Sequence, residues 1–351
     1  MDSENFEIAG IKIKPGERTR LEIPVASLFD YTKITIPVEV IRGAKPGPTM
    51  FVSAAIHGDE IIGVEILKRL LARKELKRVR GTLIVVPIVN PFGYNNNLRY
   101  LPDRRDLNRC FPGSTGGSLA SRIAHTFMHE IIEKCDYGID IHSGAIHRFN
   151  FPQVRLEISN PLEMEMAKAF GAPVIINSPL REGTLRQAAA ALGIKTILYE
   201  AGEALRFDDH SINLGVHGIV NVLREVNMLK RDEMLDHPSN VMVAKSSYWL
   251  RAPESGSLRM AKKLGSFVQP GELVGVISDP YGDRKVSIST NTPGIIICIT
   301  TMPLVNRGNA VVHLATLDEM KIAGEISADS SVVFDKDIDI ENEDWFISKH
   351  S

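Results

Sequence analysis

Cysteine is scarce in this chain. There are three in 351 residues, Cys110, Cys135 and Cys298, odd in number and without CxxC spacing. That argues against a disulfide framework and reads as reduced thiols in a cytoplasmic protein. No run approaches the ~20 apolar residues of a membrane-spanning helix. Met1 to Gly16 lacks the apolar stretch of a signal peptide. Neither acids nor bases are in excess: the net charge is −2, so nothing points to nucleic acid or an anionic membrane. There is no GxSxG elbow, no Walker loop and no GxGxxG after a strand, which removes support for serine hydrolase, NTPase and dinucleotide readings. What is present is an ordinary globular composition, 44% hydrophobic and 24% charged. The length suits one large and one small domain.

The periodicity changes along the chain. Leu21 to Val25 and Lys33 to Val38 alternate as strands, and Gly43 to Pro48 is a turn cluster. Apolar strands are then predicted at Met50 to Ile56, Thr82 to Val89, Tyr137 to His142, Pro173 to Ile176 and Lys195 to Glu200. Between them, helices are predicted at Glu60 to Leu71, about Ala120 to Lys134, Pro161 to Phe170, Gly183 to Leu192 and Gly215 to Met228. Long loops are predicted over Asn90 to Gly117 and after His142. The fold class that follows is α/β, a mixed and mostly parallel sheet with helices on both faces. From Val241 to Ala315 only short strand-like pieces with glycine and proline turns remain, predicting a small C-terminal all-β barrel or sandwich. The expected domains are residues 1–236, with N-terminal strands over 1–48, then 237–325, then an acidic tail over 326–351.

Two short segments carry the chemistry: His57-Gly58-Asp59-Glu60 and Asp140-Ile141-His142-Ser143. Two imidazoles and one carboxylate fill three corners of a Zn²⁺ tetrahedron and leave the fourth for water, which is the ligand count of a catalytic site. The set suits Zn²⁺ and is also compatible with Mn²⁺ or Co²⁺. His57, His142 and Glu200 each fall at the carboxyl end of a predicted strand, the edge where open α/β sheets place their sites. Asp140 lies two residues before His142 on the same strand face, where it can accept the free N–H of a ligand histidine. Glu200 suits a general base, with Glu203 as the competing acid. The loop Leu98 to Gly113 gathers Arg99, Arg104, Arg105 and Arg109 beside Asn108. Asn108 and Arg109 suit a substrate carboxylate, and a further arginine suits an oxyanion. His125 and His129 have a metal-like i, i+4 spacing but no third ligand, so a packed or exposed helical pair is expected there.

The segments HGDE, DLNR-x-FPG, DIHSG and YEAGE occur in that order between residues 57 and 203. Together they resemble the succinylglutamate desuccinylase and aspartoacylase family, a branch of the zinc carboxypeptidase clan. The resemblance implies hydrolysis of an N-acyl amino acid to a carboxylate and an amine. It implies one Zn²⁺ per chain on His57, Glu60 and His142, and base duty for Glu200. It places substrate carboxylate binding on Asn108 and Arg109. Stabilisation of the intermediate falls on Arg99, with Arg105 as the alternative because Leu101 to Arg105 lengthens the spacing to DLNR. Arg155 or Arg148 are the candidates for the acyl pocket. The expected partner is a small N-acyl amino acid, with no nucleic acid or membrane, and self-association is left open. Two rival readings stand beside this one: a metallocarboxypeptidase of short peptides, and a non-catalytic zinc or ligand-binding protein.

Overall fold

The computed structural model describes residues 6–231 and 241–316. The acidic tail expected over 326–351 lies outside the described residues. The chain divides into two compact units, Met1–Ala244 and Lys245–Ser351.

The first unit runs β1 (Phe6–Ile8), β2 (Ile11–Ile13), β3 (Arg18–Ser27), β4 (Lys33–Arg42), β5 (Thr49–Ala54), α1 (Ile62–Leu71), β6 (Thr82–Val86) and α2 (Pro91–Asn95). It continues with α3 (Leu119–Glu130), β7 (Tyr137–Gly144), β8 (Arg148–Leu156), α4 (Pro161–Phe170), β9 (Val174–Asn177), α5 (Leu185–Ala191), β10 (Lys195–Glu203), α6 (Asp209–Glu225) and β11 (Met242–Ala244). Across the sheet the strands lie in the order β3, β4, β6, β5, β7, β10, β8, β9, β11. The central β6, β5, β7 and β10 are parallel, whereas β3–β4, β4–β6 and β8–β10 are antiparallel. The sheet is therefore mixed, as the alternating pattern implied.

Helices cover both faces. Ile66, Leu67 and Leu70 of α1, Met166 and Phe170 of α4, and Ile219 and Leu223 of α6 pack with Val52, Ile139, Ile197 and Tyr199. Ile123 and Phe127 of α3 and Leu185 and Ala189 of α5 pack on the other side with Phe51, Ile84 and Val86. Residues 50 to 52 thus serve both layers, which is why the strand reads as an unbroken apolar run. Each such buried aliphatic or aromatic side chain contributes about 1.5–3 kcal/mol relative to exposure. The Tyr199 hydroxyl, wholly buried, donates to Ser211 O at 2.9 Å, so its polar end is satisfied as well.

Local signals set the helix ends. Asn160 accepts from the backbone N–H groups of Leu162 and Glu163, Pro161 opens α4, and Gly171 ends it at φ +79°. Gly193 follows α5 at φ +80°, the left-handed position that ends a helix.

Three expectations need correction. The segment after His142 is not a long loop, because Arg148–Leu156 is a strand paired with β10 and β9. α6 begins at Asp209 rather than Gly215, because Asp208 caps it by accepting from Ser211 N. The loop over 90–117 holds a short helix, α2, whose first turn is fixed by Gly93 N donating to Asn90 Oδ1 at 2.8 Å.

The second unit contributes β12 (Ser246–Arg251), β13 (Gly256–Met260), β14 (Phe267–Val268), β15 (Leu273–Ser278), β16 (Lys285–Ser289), β17 (Gly294–Thr300), β18 (Leu304–Val305) and β19 (Ala310–Thr316). β12, β19, β17 and β14 pair in that order, as do β16, β15, β13 and β18, all antiparallel. Leu258, Val274, Ile277, Ile296 and Leu314 lie in its core. No helix occurs among its described residues.

Candidate active site

β5, β7 and β10 are neighbours in the sheet and run the same way. Their carboxyl ends bring together residues that are far apart in sequence. His57 and Glu60 lie in the turn between β5 and α1, while His142 lies on β7 near its end. Gly58 makes that turn possible. A Cβ there would meet the carbonyl carbon of Gly93 at 1.9 Å and the nitrogen of Tyr94 at 2.1 Å, so only glycine fits against α2. Glu60 sits just ahead of α1, where the helix dipole favours a carboxylate.

The three side chains are buried and face one another. His57 Nδ1 lies 2.7 Å from Glu60 Oε1, and His142 Nδ1 lies 2.8 Å from Glu60 Oε2. One ligand atom from each lies within 4.8 Å of the others, and no second group of this kind occurs among the described residues. The outer nitrogens are also held. His57 Nε2 is 3.0 Å from Asp106 Oδ1, and His142 Nε2 is 2.8 Å from Asp140 Oδ2. Asp140 in turn accepts from Ser53 Oγ at 2.9 Å. This donor set fits a divalent ion: two imidazoles present Nδ1 to a shared point, and each has its other nitrogen fixed by a carboxylate, half-buried Asp106 for His57 and buried Asp140 for His142.

The electrostatics follow from burial and proximity. Burial opposes the charge on Glu60, but His57 and His142 overcome it and hold the carboxyl well below the usual range. Burial likewise disfavours charge on His142. Asp140 and Glu60 outweigh that and raise its pKa well above the ordinary value, and His57 is raised by Glu60 and Asp106 against the same opposition. Burial also works against ionised Asp106, yet His57, Arg99 and Arg109 keep it below the usual carboxylate range.

Around this centre the remaining sequence candidates separate. Arg99 Nη1 donates to Glu60 Oε1 at 2.9 Å, so Arg99 stands at the triad. Arg105 is largely exposed and pairs with Asp103 at 3.6 Å, away from it. Asn108 is buried, and its Oδ1 accepts from Leu185 N at 2.9 Å. Arg109 follows in the same short turn, its Nη1 donating to Asn108 O at 2.6 Å. Glu200 lies in register with His142 on the adjoining strand and forms an ion pair with Arg155. Glu203, beyond a register shift in β10, is engaged by the backbone N–H of His147 at 2.9 Å. Arg148 begins β8. His125 and His129 stack on α3 with centroids 6.2 Å apart, and His129 pairs with Glu133.

Asp106 is a residue that the sequence reading did not single out. The structure places it on His57. The available signal was its position two residues before Asn108 in the same DLNR segment. Ser143 was also missed: its backbone N–H donates to Glu60 Oε2 at 3.1 Å, a contact that carries no side-chain signature.

A family model for the succinylglutamate desuccinylase/aspartoacylase catalytic domain matches residues 46–226. The chain belongs to this family. That span includes every residue of the centre just described. A curated relative, the N-alpha-acetyl-L-2,4-diaminobutyric acid deacetylase of Halomonas elongata, is 26% identical over 298 residues, covering 82% of this chain and 87% of the relative. Among solved structures, the product-bound ectoine utilization protein EutE (DoeB) from Ruegeria pomeroyi aligns with a TM-score of 0.76 at 26% identity, covering 86% of this chain and 95% of the other. A succinylglutamate desuccinylase from Silicibacter sp. gives the same score, identity and coverage. The named members of the family are deacylases, which supports an enzyme acting on acylated amines. No helix among the described residues is long and apolar enough to cross a membrane.

Proposed function

We propose that this chain is a zinc-dependent amidohydrolase that cleaves the amide bond of an N-acyl amino acid, a linear amide, to a carboxylate and a free amine. The observation that carries the reading is the buried His57–Glu60–His142 cluster with a carboxylate behind each imidazole. His57 and His142 through Nδ1, and Glu60, would hold one Zn²⁺. The chemistry such an ion supplies is Lewis acidity toward an amide carbonyl and a lowered pKa for water.

The side chains of the protein perform the other roles. Glu200 takes the proton from the attacking water and returns it to the departing nitrogen. Arg99 sets a guanidinium beside the triad, where it meets negative charge developing on the carbonyl oxygen. Arg109 forks onto the α-carboxylate of the substrate. Asn108, its Oδ1 engaged by Leu185, offers its amide N–H groups to the same carboxylate. Asp106 and Asp140 keep the imidazoles turned so that Nδ1 faces inward. The chemistry belongs to the first unit, Met1–Ala244, with the strands of Ser246–Thr316 as a separate all-β unit. The free cysteines fit a cytoplasmic address.

The test is a screen of the full-length, zinc-loaded protein against N-acyl amino acids with varied acyl chains and against dipeptides. Release of amine from the acyl amino acids is expected. Turnover of dipeptides alone would make the chain a carboxypeptidase, and no turnover with zinc bound would make it a binding protein. Glu200→Gln should keep its metal and lose roughly 10²–10⁴-fold in kcat. Near-full activity in that variant would overturn the base assignment.

A further inference from the structure

β8, the strand absent from the sequence prediction, places an arginine against the proposed base. Arg155 Nε forms an ion pair with Glu200 Oε2, and both side chains are mostly buried. The register explains the meeting. Leu198 pairs with Arg155 and Glu200 with Gln153 across β10 and β8, while Glu200 pairs with His142 across β10 and β7. Residues two apart on a strand share a face, so Arg155, Gln153, Glu200, His142 and Asp140 all stand on one side of the sheet. Immediately after Glu200 the register of β10 shifts, and Gly202 turns to φ +71°. The backbone therefore leaves its regular ladder one residue past the carboxylate, and the ladder alone cannot fix where that side chain points.

We infer that Arg155 is a positioning residue for Glu200. Its guanidinium engages Oε2 and leaves Oε1 as the oxygen that faces water and the departing nitrogen. Direct contact of Arg155 with the substrate would have to come from Nη1 or Nη2 while Nε stays beside the carboxylate, and it would register in substrate affinity. Gln153 supplies no substitute anchor: it is wholly buried, and neither amide atom has a hydrogen-bond partner among the described residues. This inference rests on the reading of Glu200 as the base. A misplaced reacting group can cost about 100-fold in rate without any loss of binding, because the penalty falls on near-attack geometry.

The experiment compares wild type, Arg155→Met, Arg155→Lys, Glu200→Gln and the Glu200→Gln/Arg155→Met double variant. Each is full length and zinc-loaded, and each is assayed on the best N-acyl amino acid from the screen. Arg155→Met should lower kcat about 10- to 100-fold with KM within about threefold of wild type. Arg155→Lys keeps a cation but loses the planar fork, so kcat should fall between the two. In the Glu200→Gln background the loss of Arg155 should cost less than about threefold more, because the group it positions is already gone. Calorimetric titration of the same substrate into Glu200→Gln and into the double variant should give the same Kd.

A Kd or KM raised tenfold or more would make Arg155 a substrate contact and overturn the inference. Full additivity of the two losses would do the same. Should Arg155→Met not fold, Arg155→Lys decides: lower kcat at unchanged KM supports the role, and unchanged kcat removes it. A fully active Glu200→Gln enzyme would instead sink the parent reading, so the two failures are distinguishable.

Discussion

The Asp106 carboxylate serves three donors. His57 Nε2 lies at 3.0 Å, Arg99 Nη2 at 3.3 Å and the backbone N–H of Asn108 at 2.9 Å. One side chain therefore couples the orientation of a proposed metal ligand to that of the proposed oxyanion arginine and of the DLNR turn. Asp106→Ala would free the His57 ring to rotate and leave Arg99 with one anchor fewer. Metal affinity should fall about 10–100-fold, read by competition with a chelator of known affinity. Unchanged affinity would mean that burial alone orients His57. At this scale the sequence was legible wherever a residue type announced its chemistry: His57, Glu60 and His142 do meet, and Asp140 does stand behind His142. It was illegible where the role depends on a partner 49 positions away, as with Asp106 and His57.

The elements show the same division. The parallel strands β5, β6, β7 and β10 were readable as apolar runs because helices bury them on both faces. β8 was not, because Arg148, Asn150, Gln153 and Arg155 interrupt it and Pro152 sits within it. Two of those polar residues face the site, so the demands of the cleft erased the hydrophobic signal. The turn between β5 and α1 is the most constrained connection. Gly58→Ala would drive a methyl group into the backbone of α2 at Gly93 and Tyr94, neither of which can move without shifting Asn90, the cap of that helix. The expected loss is about 1–3 kcal/mol of stability together with weaker metal binding. A urea titration checks the first and metal content at equilibrium the second, and a variant with wild-type values for both would show that the turn has slack.

On the scale of the whole molecule, the first unit contains all the proposed ligands, the base and the carboxylate clamp. The proposed ion would bind the folded form of that unit and not the unfolded chain. Removing it with a chelator should therefore lower the thermal midpoint of the protein. Restoring free metal to about 100 times its Kd should recover ~2.7 kcal/mol. A midpoint indifferent to the ion would argue that Glu60 and the two histidines already satisfy one another fully.

The order of strands carries one more consequence. The two imidazoles belong to stretches of chain 85 positions apart, which become adjacent once β5 and β7 have zipped together side by side. Before those strands pair the cradle does not exist, so the proposed ion would act as a keystone rather than a seed: it is expected to slow unfolding and leave the folding rate unchanged.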